Sequence, residues 1–169
     1  MIEANVKNDI RVDLIGPKGL LIHIDMNAEQ DRVRAFIQGS KRPWHWLHHI
    51  IPFAGKRERD AGRELAGIME GSGVSHVELH GHSLGGAVAM ATAQYIKNDG
   101  IDVSCTTYGT KQPPWWIGSE GRHYRTRGDI VPFVIPIRKR LETTVIGERR
   151  WFWHSHGPDA YRDAGAWYS

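Results

Sequence analysis

The chain has a single cysteine, Cys105, in 169 residues. One thiol cannot build an internal disulfide framework or a cysteine-based zinc site. No apolar run approaches the roughly 18 residues that a membrane-spanning helix requires, so stable membrane insertion is not expected. The segment from Met1 to Asp9 has neither the basic nor the apolar region of a signal peptide. It reads as a chain that is cytoplasmic or otherwise unexported by its own sequence. Charge of one sign is also scarce, with 22 basic against 19 acidic residues and a net charge of +3. An excess this small gives no reason to expect a nucleic-acid partner. The local basic clusters Lys56-Arg57-Glu58-Arg59 and Arg138-Lys139-Arg140 read as solvated faces. There is no internal repeat, low-complexity tract or linker, so residues 1–169 are expected to form one domain.

With 40% apolar and 24% charged residues, the composition is that of a folded globular protein. The patterning alternates strands and helices. Ile10 to Ile15, Leu20 to Ile24 and Val33 to Ile37 read as three strands joined by short turns, an antiparallel meander. Arg57 to Met69 reads as an amphipathic helix with Ala61, Leu65, Ile68 and Met69 near one face. His76 to His80, Leu84 to Lys97 and Ile101 to Tyr108 then give strand, helix and strand, a βαβ unit with a parallel pair. His123 to Thr126 is a further strand. Leu141 to Ile146 and Arg149 to Trp153, separated by Gly147-Glu148, read as a hairpin.

Gly81-His82-Ser83-Leu84-Gly85 is a G-x-S-x-G pentapeptide lying between the apolar strand and the helix. This is the context in which a serine on a sharp strand-to-helix turn presents its Oγ to substrate. The free N–H groups and positive dipole end of the helix face a developing oxyanion there. A serine hydroxyl also needs a base to take its proton and an acid to orient that base. Among downstream acids, Asp129 follows a strand and precedes a proline-rich loop, and is better placed than Asp102 or Glu120. The histidines after it are His154 and His156. If Phe152 to His156 were extended, both would share one face, so spacing does not choose between them. His82 precedes the nucleophile and is the wrong choice as base. His45, His48 and His49 have no second ligand cluster at zinc-like spacing, and no metal site is expected.

These motifs resemble those of the class 3 lipases, an α/β-hydrolase family that includes fungal triacylglycerol lipases and bacterial relatives. The resemblance runs from about Val33 to Tyr161. Val77 to Ala87 resembles the family's nucleophile segment, and Thr106-Thr107-Tyr108-Gly109 its T-[FY]-G strand end. Asp129-Ile130-Val131-Pro132 resembles its acid-bearing D-x-V-P. Ile37-Gln38-Gly39-Ser40 sits where the family has F-R-G-[ST], with Gln38 in place of the arginine. Ser155 to Tyr161 resembles the bacterial pattern of a histidine, a short spacer, an acid, Ala and Tyr, which favours His156 over His154 as base.

The resemblance implies a minimal α/β-hydrolase: a mostly parallel central sheet flanked by helices, a small antiparallel meander and no large lid domain. Pro43 to Phe53 is the one candidate for an apolar lid, with a buried aromatic helix as the alternative. It implies a carboxylic-ester hydrolase working through an acyl-enzyme, with Ser83 as nucleophile, His156 as base (His154 the runner-up) and Asp129 as acid. Leu84 and Ser40 would form the oxyanion hole. His82, Trp44 and Trp115 are candidates to line the substrate site. No cofactor is needed. The expected substrate is a lipid-like acyl ester, with at most transient contact at a lipid interface and no implied oligomeric state. A phospholipase, a thioesterase and a non-catalytic module on the same fold are the alternatives.

Overall fold

The computed structural model describes residues 9–16, 20–27, 31–39, 55–96, 100–110, 121–130, 143–148 and 151–167. Its strands are β1 (Asp9–Gly16), β2 (Leu20–Asn27), β3 (Arg32–Ile37), β4 (His76–His82), β5 (Asp102–Tyr108), β6 (Arg122–Thr126) and β7 (Thr144–Ile146). Its helices are α1 (Gly55–Gly71), α2 (Leu84–Tyr95), α3 (Phe152–His156) and α4 (Pro158–Asp163). The strands form one seven-stranded sheet in chain order. β1, β2 and β3 pair antiparallel, as the short turns require. From β3 to β7 every pairing is parallel.

The pleat divides the sheet into two unlike faces. Val33, Ala35 and Ile37 of β3 and Val77 and Leu79 of β4 alternate onto one face, where α1 and α2 cover them. α2 is buried from Gly85 to Thr92 without interruption. It is therefore apolar all round, the pattern of a helix enclosed on every side. α1 buries Ala61, Leu65, Ala66 and Met69 in the same core. Ile68, expected on that stripe, is 49% exposed instead. At about 100° per residue it lies roughly 90° from the stripe's centre, and Ala66 takes its place.

The opposite face carries Phe36, Tyr108 and Tyr161 with Tyr124, Ile146 and Trp167 packed against them. A polar chain continues this layer. Arg34 Nε donates to Glu78 Oε2 at 2.9 Å, His80 Nε2 donates to Glu78 Oε1 at 2.9 Å, and the Tyr108 hydroxyl donates to His80 Nδ1 at 3.2 Å. Burial works to raise the Glu78 carboxyl, but the donors His80 and Arg34 outweigh it and hold the group below the usual range.

The expected hairpin at the C-terminal end is not present. β7 runs parallel to β6, pairing Thr144 with Tyr124 and Ile146 with Thr126. Phe152–His156 is a helix, although its aromatic residues favour strands. Bonds to neighbouring elements override that propensity. The Thr126 hydroxyl donates to the Ser155 carbonyl, and Ser155 Oγ donates to the Arg127 carbonyl at 3.1 Å. The helix Pro158–Asp163 was not anticipated either. The other elements follow the sequence reading, with α2 ending at Tyr95 rather than Lys97.

Candidate active site

β4 runs into α2 at Ser83, whose backbone sits at φ 53° and ψ −119°. A non-glycine residue held there costs on the order of 1–3 kcal/mol and must be fixed by its surroundings. The surroundings do so from three sides. The Ser83 N–H donates to the Tyr108 carbonyl at 2.9 Å, which continues the β4–β5 ladder through the turn. Gly85 lies directly against the Ile37 carbonyl, so closely that no side chain fits between α2 and the end of β3. A Cβ on Gly39 would stand 3.0 Å from the Ser83 Cβ and 3.5 Å from the Leu84 nitrogen. The end of β3 therefore borders the turn where α2 presents its first N–H groups.

Asp129 follows β6 through a turn in which its N–H donates to the Thr126 carbonyl at 3.2 Å. Only 1% of it is exposed. His156 Nδ1 stands 3.1 and 3.0 Å from the two Asp129 carboxylate oxygens, and His156 Nε2 stands 2.9 Å from Ser83 Oγ. A carboxylate only accepts, so Nδ1 carries the imidazole proton. Nε2 is then left as an acceptor for the serine O–H. The Tyr161 hydroxyl donates to Asp129 Oδ2 at 2.6 Å. Burial first, and then the adjacent Asp129 carboxylate, pushes the Tyr161 phenol far above its ordinary range, so it remains a donor.

Gly109 closes this layer. Its φ is +56°, and a Cβ there would meet Asp129 Oδ2 at 2.5 Å, the Tyr161 hydroxyl at 2.5 Å and His156 Nδ1 at 3.0 Å. Both the backbone conformation and the space require glycine. The last residue of the T-[FY]-G motif is thus the floor beneath the acid and the imidazole.

Because α3 is helical, His154 and His156 are about 200° apart around its axis rather than on one face. His156 turns inward to Ser83 and Asp129, while His154 is exposed. His82 is not positioned to line a substrate site. It is 7% exposed, its Nε2 donates to the His156 carbonyl at 2.7 Å, and its ring lies 4.9 Å from the His156 ring. Burial first, and then repulsion from His156, lowers its pKa to about 4, so it is neutral. Asp102 is exposed at the opposite end of β5. Ser40, Trp44, Trp115 and Glu120 lie outside the described residues, as do His45, His48, His49 and the segment Pro43 to Phe53. Among the described residues no cluster of three metal-ligating side chains occurs, and no helix is long and apolar enough to cross a membrane.

The sequence reading gave no role to Tyr161, Gly109 or Thr126. Tyr161 and Gly109 did stand at the ends of motifs, one five residues after His156 and the other closing the tetrapeptide that ends β5. Thr126 carried no signal at all.

The mainly parallel sheet, the elbow at Ser83 and the flanking helices define an α/β-hydrolase fold. The native lipase–propeptide complex of Rhizomucor miehei matches with a TM-score of 0.63 at 15% identity, over 83% of this chain and 57% of that one. Lip2 lipase from Yarrowia lipolytica matches with a TM-score of 0.60 at 15% identity, over 85% of this chain and 67% of that one. The lipase of Rhizopus microsporus var. chinensis gives 0.62 at 16% identity, over 86% and 64%. The present chain spans little more than half the length of the Rhizomucor protein. No curated protein matches it. Residues 57–139 match the class 3 lipase family.

Proposed function

We propose that this protein hydrolyses carboxylic esters through an acyl-enzyme on Ser83. One observation carries the reading: the continuous relay from Ser83 Oγ through His156 to the buried Asp129, with each link between 2.9 and 3.1 Å. Ser83 Oγ attacks the ester carbonyl while His156 Nε2 takes its proton. The Asp129 carboxylate holds the imidazole in the tautomer that can do this and steadies the imidazolium that forms. The oxyanion is met by the backbone N–H of Leu84, at the positive end of α2, and by that of Ser40. The Ser40 hydroxyl is a third candidate donor. The tetrahedral species collapses, and His156 returns the proton to the departing alcohol. Water, activated by the same imidazole, then releases the acid and regenerates Ser83.

An apolar acyl ester, as in a lipid, is the substrate class proposed here, in keeping with the match of residues 57–139 to the class 3 lipases. No step calls for a metal or cofactor. Side-by-side turnover of a fatty-acyl ester, a phospholipid and an acyl thioester tests this choice. Preference for the simple ester is expected, and preference for either of the others would redirect the assignment within the same chemistry. Asp129→Asn should lower kcat by about 10⁴-fold, because it leaves the imidazole in the wrong tautomer. A loss below tenfold would remove Asp129 from the mechanism.

A further inference from the structure

His156 is reached by two consecutive residues of the β4–α2 turn. Ser83 Oγ is 2.9 Å from its ring Nε2, while His82 Nε2 is 2.7 Å from its backbone carbonyl. The carbonyl can only accept, so His82 carries its proton on Nε2 and donates. His156 is the last residue of α3, a helix of five residues. The last four carbonyls of any helix lack partners within it, and a helix this short is far below the length of about 12–15 residues that holds itself together in water. α3 therefore depends on bonds from outside. Thr126 takes the Ser155 carbonyl and His82 takes that of His156. The His82 ring is itself wedged among Tyr161 at 5.8 Å and Trp167 at 5.6 Å, which gives it little freedom to move.

We propose that His82 is a positioning residue for His156: its Nε2–H clamps the His156 carbonyl and thereby aims the imidazole at Ser83 and Asp129. This deepens the hydrolase reading above and rests on it. The residue before the nucleophile holds the backbone of the base, so the strand that delivers the serine also sets the serine–imidazole distance. His82 touches no reacting atom. Its effect passes wholly through His156.

The test compares His82→Gln, His82→Asn and His82→Phe in the full chain. A glutamine amide nitrogen stands as many bonds from Cβ as His Nε2 and can reach the carbonyl, whereas an asparagine amide stops at the position of Nδ1. Phenylalanine keeps a ring and loses the donor. Hydrolysis of p-nitrophenyl butyrate should show kcat falling on the order of 10²-fold in the Asn and Phe variants with KM unchanged, the scale of loss for a misplaced catalytic group. The Gln variant should recover most of that loss. Thermal melting confirms folding, and if the Phe variant does not fold, the Gln–Asn pair decides alone.

A second readout needs no turnover: the proton NMR signal of His156 Nδ1–H bonded to Asp129 should persist in the wild type and Gln variant and be lost in the other two. A Gln variant as impaired as Phe would overturn the proposal. So would equal activity in all three variants, a change in KM rather than kcat, or an Nδ1–H signal that ignores residue 82. A wild-type protein that shows the signal but turns over no ester would instead refute the hydrolase reading and leave the clamp standing.

Discussion

Tyr161→Phe removes one oxygen from a fully buried site and isolates what supports the acid. The phenol donates to Asp129 Oδ2 at 2.6 Å, and the Asp129 side chain is 0% exposed. Water cannot replace the lost donor without opening the layer formed by Gly109, Tyr161 and His156. A hydrogen bond to a charged group contributes about 1.5–3 kcal/mol. In a domain of this size each kcal/mol moves Tm by about 2–4 °C, so the variant should melt roughly 3–12 °C lower. Turnover should change far less, by under tenfold, since both carboxylate oxygens still face His156 Nδ1. The pH dependence supplies a separate check. The folded state holds the Tyr161 proton above the ordinary phenol range, while the unfolded chain releases it. The unfolded state then binds fewer protons, so wild-type stability falls as pH rises past about 10, by about 1.4 kcal/mol per unit from this group. Tyr161→Phe should lose that slope. Denaturant melts from pH 7 to 11 measure both effects. An unchanged Tm at pH 7, or an alkaline slope that survives the substitution, would refute the account of how Asp129 is held.

Three further outcomes are expected. His82 has a folded-state pKa lowered to about 4 by burial, against about 6.5 unfolded. It therefore stabilises the fold above pH 6.5, and roughly 3 kcal/mol should disappear as pH falls from 6.5 to 4. His82→Gln should flatten that part of the stability profile, and an unaltered profile would show that His82 is not the neutral, buried donor. His156→Ala should reduce kcat to the level of Ser83→Ala, with the double variant no worse than either, whereas His154→Ala should cost less than tenfold. The reverse pattern in these kinetics would make His154 the base. Gly109→Ala should lower both Tm and kcat, because its Cβ would stand 2.5 Å from Asp129 Oδ2 in a backbone at φ +56°. A variant with wild-type values would mean that the floor of the site yields.

Most of the sheet and α1 were legible from periodicity, and α2 from its run of Ala, Val and Met after the glycine turn. Alternation in Val33 to Ile37 and His76 to His80 marks strands with one face buried, and Gly81 to Gly85 marks the turn between strand and helix. The pentapeptide and the D-x-V-P were readable because their chemistry is local. The C-terminal part was not. Phe152 to His156 has strand-forming aromatics, and what makes it helical is a set of bonds to Thr126, Arg127 and His82, residues 25 or more positions away. Spacing left the two histidines unseparated for the same reason, since an extended segment puts them together and a helix sets them apart, and only the motif around His156 favoured it. The role of His82 was hidden for a similar reason. Its position next to the nucleophile suggested a substrate contact, and only the path of the distant α3 carbonyl turns it into a buried support.

The central claim is that Ser83 is a nucleophile activated by His156. The most direct measurement is covalent labelling of the folded protein by a fluorophosphonate probe, with the modified residue located by peptide mass spectrometry. The account predicts one adduct, on Ser83, that forms rapidly in the wild type, slows by orders of magnitude in His156→Ala and is absent in Ser83→Ala. An unlabelled wild-type protein, or an adduct on another residue that survives Ser83→Ala, would contradict it.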